Sequence, residues 1–203
     1  MKFDYICSGY LGSIQQIDLV ASIKDDFLTP NGKFIVDPVM GDGGKLYSGF
    51  TPAYVEKMKE LCSKADFILP NVTEACYLAD MPYPLKPADA DEVLARLKTM
   101  CPCPIVTGIE GGKELTVAYI NEIGHARTYV HENIEGAFHG AGDVFAAAFV
   151  GALARGKSLE TAIELASNYT AACIKRAVVE VPDKRYGLPF EAEIFSFLKK
   201  LNG

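Results

Sequence analysis

An α/β fold, a three-layer α/β/α sandwich around a mostly parallel sheet with a β-hairpin at its edge, is what this sequence predicts. Three observations carry the expectation. Short β-prone runs alternate with segments of helical apolar spacing, the runs end in loops marked by Gly or Pro, and one stretch around Asn121 switches to strict apolar–polar alternation. Alternating strands and helices make neighbouring strands parallel, because each crossover helix carries the chain back to the edge it left.

Phe3 to Ser8 (FDYICS) is β-prone, so the chain enters the sheet almost at once. Gly9-Tyr10-Leu11-Gly12-Ser13 breaks the run. Ile14, Ile17, Leu19, Val20, Ile23 and Phe27 then recur at helical spacing until Pro30-Asn31-Gly32 ends the segment. Lys33 to Val36 opens a second strand, which leads into the loop Asp37-Pro38-Val39-Met40-Gly41-Asp42-Gly43-Gly44. Pro52 to Lys64 reads as a helix and Phe67-Ile68-Leu69 as a third strand, ending at Pro70-Asn71, with Thr73 and Glu74 opening the next helix. Past a Pro-rich connection, Asp89 to Met100 is helical and Pro104 to Gly108 is a fourth strand. Glu114 to His131 alternates about Asn121-Glu122-Ile123-Gly124, the pattern of a hairpin. A helix from the glycine motif at 140 to about Arg155, and two more over Leu159 to Val178 and Pro189 to Leu201, close the chain.

A length of 203 residues fits one α/β domain over 1–203 with a sizeable core. Apolar residues at 49%, charged residues at 23% and a net charge of −6 give a soluble globular balance with no basic footprint for nucleic acid or an anionic membrane. Small metabolites remain as ligands. Six cysteines without a disulfide framework, with neither a signal peptide nor a membrane-length apolar run, point to a reducing cytoplasm. Cys101-Pro102-Cys103 has no second Cys or His pair at zinc spacing and reads as a turn with two free thiols.

The chemistry centres on Phe138-His139-Gly140-Ala141-Gly142-Asp143-Val144-Phe145. Glycines where a loop becomes a helix let successive N–H groups point at one anion. A carboxylate beside such a cradle repels the ligand, which suggests a task such as taking a proton from an attacking hydroxyl; the alternative is a tight turn with Asp143 as a helix cap. In a parallel sheet ligands gather at the carboxyl ends of the strands, and the loops there carry Asp37, Asp42, Asn71, Glu74, Thr107 and Gly108. Asp37 and Asp42 share a glycine-rich loop with no basic partner, a pattern suited to a hydrated divalent cation or to a solvated turn. Asn71 and Glu74 have capping-box spacing and can face the same rim. No P-loop lysine motif, no GxGxxG after a strand and no GxSxG elbow occurs.

Together the stretches Ser8-Gly9-Tyr10-Leu11-Gly12-Ser13, Asp37-Pro38-Val39-Met40-Gly41-Asp42, Leu69-Pro70-Asn71 with Thr73-Glu74-Ala75, Val106-Thr107-Gly108 and Gly140-Ala141-Gly142-Asp143 resemble the ribokinase-like superfamily, and within it the pyridoxal kinases. That resemblance implies ATP- and Mg²⁺-dependent phosphorylation of the 5′ hydroxyl of pyridoxal, pyridoxine or pyridoxamine. It implies Asp143 as catalytic base and Gly140, Ala141 and Gly142 as anion hole. Asp37, Asn71, Thr107, Gly108 and Tyr47 become nucleotide-binding residues, and Asp42 and Glu74 the metal residues. Ala141 stands where the family usually has threonine, keeping the backbone donor without the hydroxyl. Members of the family begin with further strand–helix units that carry much of the pyridoxal-binding surface, so the chain is expected to be truncated at its N-terminus relative to them. A homodimer is also expected from the resemblance. The competing readings are a hydroxymethylpyrimidine kinase of thiamine synthesis and an inactive nucleotide-binding remnant.

Overall fold

A computed structural model describes residues 1–134, 139–181 and 187–203, so Phe138 of the glycine motif lies outside the described residues. In chain order the elements are β1 (Phe3–Ser8), α1 (Ile14–Phe27), β2 (Leu28–Val36), β3 (Gly41–Asp42), β4 (Lys45–Leu46), α2 (Pro52–Cys62), β5 (Phe67–Ile68) and α3 (Val72–Ala79). Then come α4 (Ala90–Lys98), β6 (Cys103–Glu110), β7 (Glu114–Ile120), β8 (Ala126–Glu132), α5 (Ala141–Ala154), α6 (Leu159–Glu180) and α7 (Ile194–Asn202). The chain divides into two compact units, residues 1–111 with 116–128, and residues 112–115 with 129–203.

The main sheet has the order β1-β2-β5-β6-β7-β8, and the pairs β1–β2, β2–β5 and β5–β6 are parallel. Its register aligns the carboxyl ends: Ser8 pairs with Val36, Val36 with Ile68, and Ile68 with Pro104. The loops that leave these strands therefore begin at one edge, which is why residues distant in sequence can share a rim. Strand side chains alternate between faces, and both faces of the parallel strands are buried. Phe34, Val36, Ile68 and Val106 belong to a core with Met58, Leu61, Leu94 and Leu97 from the helices. Ile35, Phe67 and Ile105, which alternate with them, are buried as well. Burial on both faces is what an α/β/α sandwich demands of its central strands.

Most helix starts follow their sequence signals. Ser13, Thr51 and Ser158 accept backbone N–H groups at the starts of α1, α2 and α6, and Pro52 occupies the first turn of α2, where its missing N–H is harmless. Four stretches differ from the sequence expectation: β6 runs past Gly108 to Glu110, α7 starts at Ile194 and not at Pro189, and two further differences lie at Pro30-Asn31-Gly32 and in the Asp37–Gly44 stretch. Pro30-Asn31-Gly32 does end α1, but it lies inside β2 rather than before it: between Phe3↔Leu28 and Tyr5↔Lys33, β1 advances two residues while β2 advances five. The turn residues are absorbed as a bulge in the β1–β2 pair, β1 being an edge strand among the described residues. The Asp37–Gly44 stretch also contains more than a loop, because Gly41–Asp42 and Lys45–Leu46 pair antiparallel about Gly43 and Gly44, both at positive φ (57° and 78°). Asp-Gly-Gly-Lys was the available hairpin signal, hidden by the shortness of its strands.

β7 and β8 are neighbours joined by residues 121–125, too few for a crossover, which makes them the predicted antiparallel hairpin. Its turn is closed by Asn121, whose N–H donates to the His125 carbonyl at 2.9 Å and whose Oδ1 accepts the His125 N–H at 2.8 Å. In the second unit α5 packs on α6. The Tyr169 ring meets Phe197 at 4.7 Å between centroids while its hydroxyl donates to the Phe190 carbonyl at 2.7 Å. All six cysteines are free, Cys101 and Cys103 among them.

Candidate active site

The first unit builds its site from the loops that leave β2 and β5 and from β6 itself, which runs to Glu110 and so holds Thr107 and Gly108 inside the strand rather than in the loop expected after it. Asp37 follows β2 directly; it is buried, and its N–H donates to the Ser8 carbonyl at 3.0 Å. Val39, two residues on, has φ 28°, a conformation that strains a β-branched residue. That twist leads the chain into the β3–β4 hairpin. Gly41 is required there, since a Cβ would lie 2.5 Å from the Lys45 carbonyl oxygen. Beyond β5, Asn71 caps α3 in a full capping box: its side chain accepts the Glu74 N–H at 3.0 Å, and Glu74 Oε2 accepts the Asn71 N–H at 2.9 Å. Asn71 also bridges to Thr107 within β6, where the Thr107 N–H donates to the Pro70 carbonyl at 2.9 Å.

Asp42, Asn71, Thr107 and Gly108 thereby line one cavity of about 210 Å³. Thr73, Tyr83 and Glu110 complete its polar wall, and sequence reasoning missed all three. Thr73 and Glu110 lie within three residues of predicted site positions and could have been found by asking what else the same turns present; Tyr83, in the Pro-rich connection, carries no local signal. Asp37 and Tyr47 do not line this cavity. Tyr47 is 40% exposed, and its N–H donates to the Met40 carbonyl at 3.0 Å.

Glu74 lies beneath the rim, 2% exposed, and its Oε1 accepts the Met40 N–H at 2.9 Å. One carboxyl group thus ties the Asp37–Asp42 loop to the start of α3. Burial pushes its pKa up to about 7; backbone donors at Asn71, Met40 and Gly41 oppose that shift and the charge of Asp42 adds to it. Asp42 itself is exposed, with Oδ1 accepting the Gly43 N–H at 2.8 Å, so its carboxylate keeps lone pairs for a ligand. No group of three or more His, Cys, Asp or Glu side chains placed to hold a metal ion occurs among the described residues.

The second unit holds the glycine motif. Gly140 takes the left-handed conformation, φ 86°, and opens α5 with no side-chain cap, in contrast to the capped starts of α1, α2, α3 and α6. The first N–H groups of α5, on Ala141, Gly142 and Asp143, precede the helical bonding pattern, whose first bond runs from the Val144 N–H to the Gly140 carbonyl at 3.0 Å. Asp143 stands third in the helix, in its first turn, and the cap position belongs to Gly140. Its exposed side chain borders an apolar groove of about 360 Å³ lined by Val144, Ala147, Tyr169, Phe190 and Phe197.

The family model described as phosphomethylpyrimidine kinase matches residues 1–185. Among curated proteins the chain is 27% identical to the pyridoxal kinase of Haemophilus influenzae, over 85% of this chain and 63% of that protein. It is 29% identical to the pyridoxal kinase of Arabidopsis thaliana, over 87% of this chain and 59% of that one. The chain thus spans less than two thirds of the length of these relatives. Among solved structures it superposes on pyridoxal kinase from Lactobacillus plantarum with a TM-score of 0.89 and 28% identity, covering 98% of this chain and 72% of that one. A Bacteroides thetaiotaomicron structure assigned to the phosphomethylpyrimidine kinases and solved with pyridoxal gives a TM-score of 0.89 and 31% identity, covering 100% of this chain and 72% of that one.

Proposed function

The chain belongs to the phosphomethylpyrimidine kinase family of ribokinase-like proteins, and from that premise we propose that it serves, as one kinase domain, the ATP-dependent phosphorylation of the 5′ hydroxyl of pyridoxal, pyridoxine or pyridoxamine. The observation that carries the reading is the start of α5, where uncapped N–H groups follow a left-handed glycine and a carboxylate sits in the same turn. Asp143 accepts the proton of the substrate hydroxyl, whose oxygen bonds to the γ-phosphorus as the bond from phosphorus to ADP breaks. The N–H groups around Gly140, Ala141 and Gly142 donate to the phosphoryl oxygens as charge spreads over them. The pyridoxal-bound Bacteroides structure and the kinases of Haemophilus and Arabidopsis support the B6 substrate class.

The cavity of the first unit is read as the place for nucleotide phosphates and Mg²⁺. Its donor set fits a magnesium–phosphate complex, because Mg²⁺ needs only one or two carboxylates when phosphates and water supply its other oxygens. Asp42 offers the free carboxylate, and the Glu74 carboxyl lies behind it. Asn71, Thr107 and Gly108 offer polar groups to the phosphates. Asp37 and Tyr47, outside the lining, are assigned to the nucleotide on the resemblance alone. So is a homodimer, for which light scattering is the check. Six unpaired thiols suit a reducing cytoplasm, and no described helix is long and apolar enough to cross a membrane.

Purified chain supplied with pyridoxal and Mg-ATP should form pyridoxal 5′-phosphate, and Asp143→Ala should lower turnover by about 10²–10⁴-fold without weakening nucleotide binding. Near wild-type turnover in that variant would refute the base assignment. Faster turnover of hydroxymethylpyrimidine would favour the thiamine-pathway reading, for which the family's description is slight support beside the pyridoxal kinase relatives. Nucleotide binding without transfer to either acceptor would favour a nucleotide-binding remnant.

A further inference from the structure

The β3–β4 hairpin carries Asp42 to the cavity on strands of two residues each, too short to hold their own position. Its support comes from the first turn of α3. The Asn71 side-chain amide donates to the Gly41 carbonyl at 2.9 Å, and the Gly44 N–H donates to the Thr73 hydroxyl at 2.9 Å. Both ends of the turn are therefore bonded to side chains two residues apart on one helix start. A third contact closes over them: the Tyr83 ring lies so near Gly44 that a Cβ there would be 2.7 Å from its Cδ1. Thr73 is 2% exposed, and a valine in its place would fill the same volume while offering the Gly44 N–H no acceptor.

We propose that Thr73 and Tyr83 are positioning residues that latch the β3–β4 turn to α3, fixing Asp42 at the cavity for a magnesium-bound nucleoside triphosphate. This rests on the reading of the cavity as the phosphate and metal site. Thr73 acts through the backbone of Gly44, and Tyr83 packs its ring on the same glycine. Thr73 and Tyr83 also border the cavity, but the latch holds Asp42, so its loss acts more on magnesium-dependent affinity than on binding of the nucleotide without metal.

The test combines amide exchange at Gly44 in the ligand-free chain with equilibrium titration of ATP, with Mg²⁺ and again in EDTA. Thr73→Val should speed Gly44 exchange and raise the Kd for Mg-ATP, each by about tenfold, the factor expected for one lost hydrogen bond, while the Kd in EDTA rises by a smaller factor. Thr73→Ser, which keeps the hydroxyl, should restore both. Because Thr73 is buried, the half-exposed partner supplies a second variant: Tyr83→Ala should speed Gly44 exchange without disturbing a core side chain. Wild-type exchange at Gly44 in Thr73→Val and Tyr83→Ala alike would overturn the latch whatever the ligand does. Faster exchange with unchanged Mg-ATP affinity would overturn its role in binding. A wild-type chain that takes up no Mg-ATP, with exchange responding as expected, would overturn the phosphate-site reading and with it the positioning role, while leaving the contacts themselves confirmed.

Discussion

Glu74 is a carboxyl group almost wholly removed from water, and the backbone N–H groups of Asn71, Met40 and Gly41 do not fully offset that removal. Its pKa of about 7 against an ordinary 4.5 makes folding linked to protonation. At pH values below 4.5 both folded and unfolded chains are protonated at this group, and its contribution to stability is fully present. As pH rises from 4.5 to about 7 the unfolded chain ionises first, so stability falls by roughly 3 kcal/mol in all and then levels off. Glu74→Gln cannot ionise and should lack this fall. Urea unfolding of both proteins at about pH 5 and about pH 8 measures it, with other titrating groups cancelling in the difference; parallel stability profiles would contradict the assignment. The sequence showed this residue through its capping-box spacing with Asn71 but not its second bond, to Met40. That bond spans two loops which only the sheet register brings together.

At the scale of elements, the β3–β4 hairpin is where the site is most exposed to substitution. Gly41→Ala places a Cβ 2.5 Å from the Lys45 carbonyl, a backbone atom that cannot swing aside, and should cost roughly 1–3 kcal/mol in urea unfolding. Mg-ATP affinity should fall with it, because the same hairpin carries Asp42. An alanine variant with wild-type stability and affinity would mean the hairpin tolerates strand separation. Elsewhere the elements were legible where local chemistry and tertiary context agreed. The capped helices α1, α2 and α6 start at Ile14, Pro52 and Leu159, at or beside their signals. They disagreed at Pro30-Asn31-Gly32, where turn residues at the sheet edge were taken up by a bulge, because an outer strand pair tolerates extra residues that an inner one would reject.

At the scale of the molecule, the first unit shows an apolar face around its outermost strand and helix. Phe3 is 46% exposed on β1, and Leu19 and Ile23, one turn apart on α1, are 58% and 37% exposed. Single exposed apolar residues are ordinary; a cluster near an open strand edge is a site for dye binding and self-association. Replacing Leu19 and Ile23 together by lysine should lower binding of an apolar fluorescent dye while changing stability by no more than about 0.5 kcal/mol per site, since little buried contact is lost. Unchanged dye binding would place the accessible apolar surface elsewhere.

What the sequence determined by itself was everything set by local chemistry and period. This includes the alternation that makes the sheet parallel, the capped helices, the hairpin about Asn121, and the residue types of the rim and the glycine motif. Tertiary structure alone decided which of those residues share a cavity. Asp42, Asn71, Thr107 and Gly108 meet because parallel register sets the ends of β2 and β5 beside the middle of β6, whereas Asp37, in the same loop as Asp42, is buried. Thr73 and Tyr83 had no pattern to reveal them, since their partner is a backbone N–H on one side and a glycine Cα on the other. Such partners leave no complementary residue type in the sequence, only a distance that the folded chain makes short.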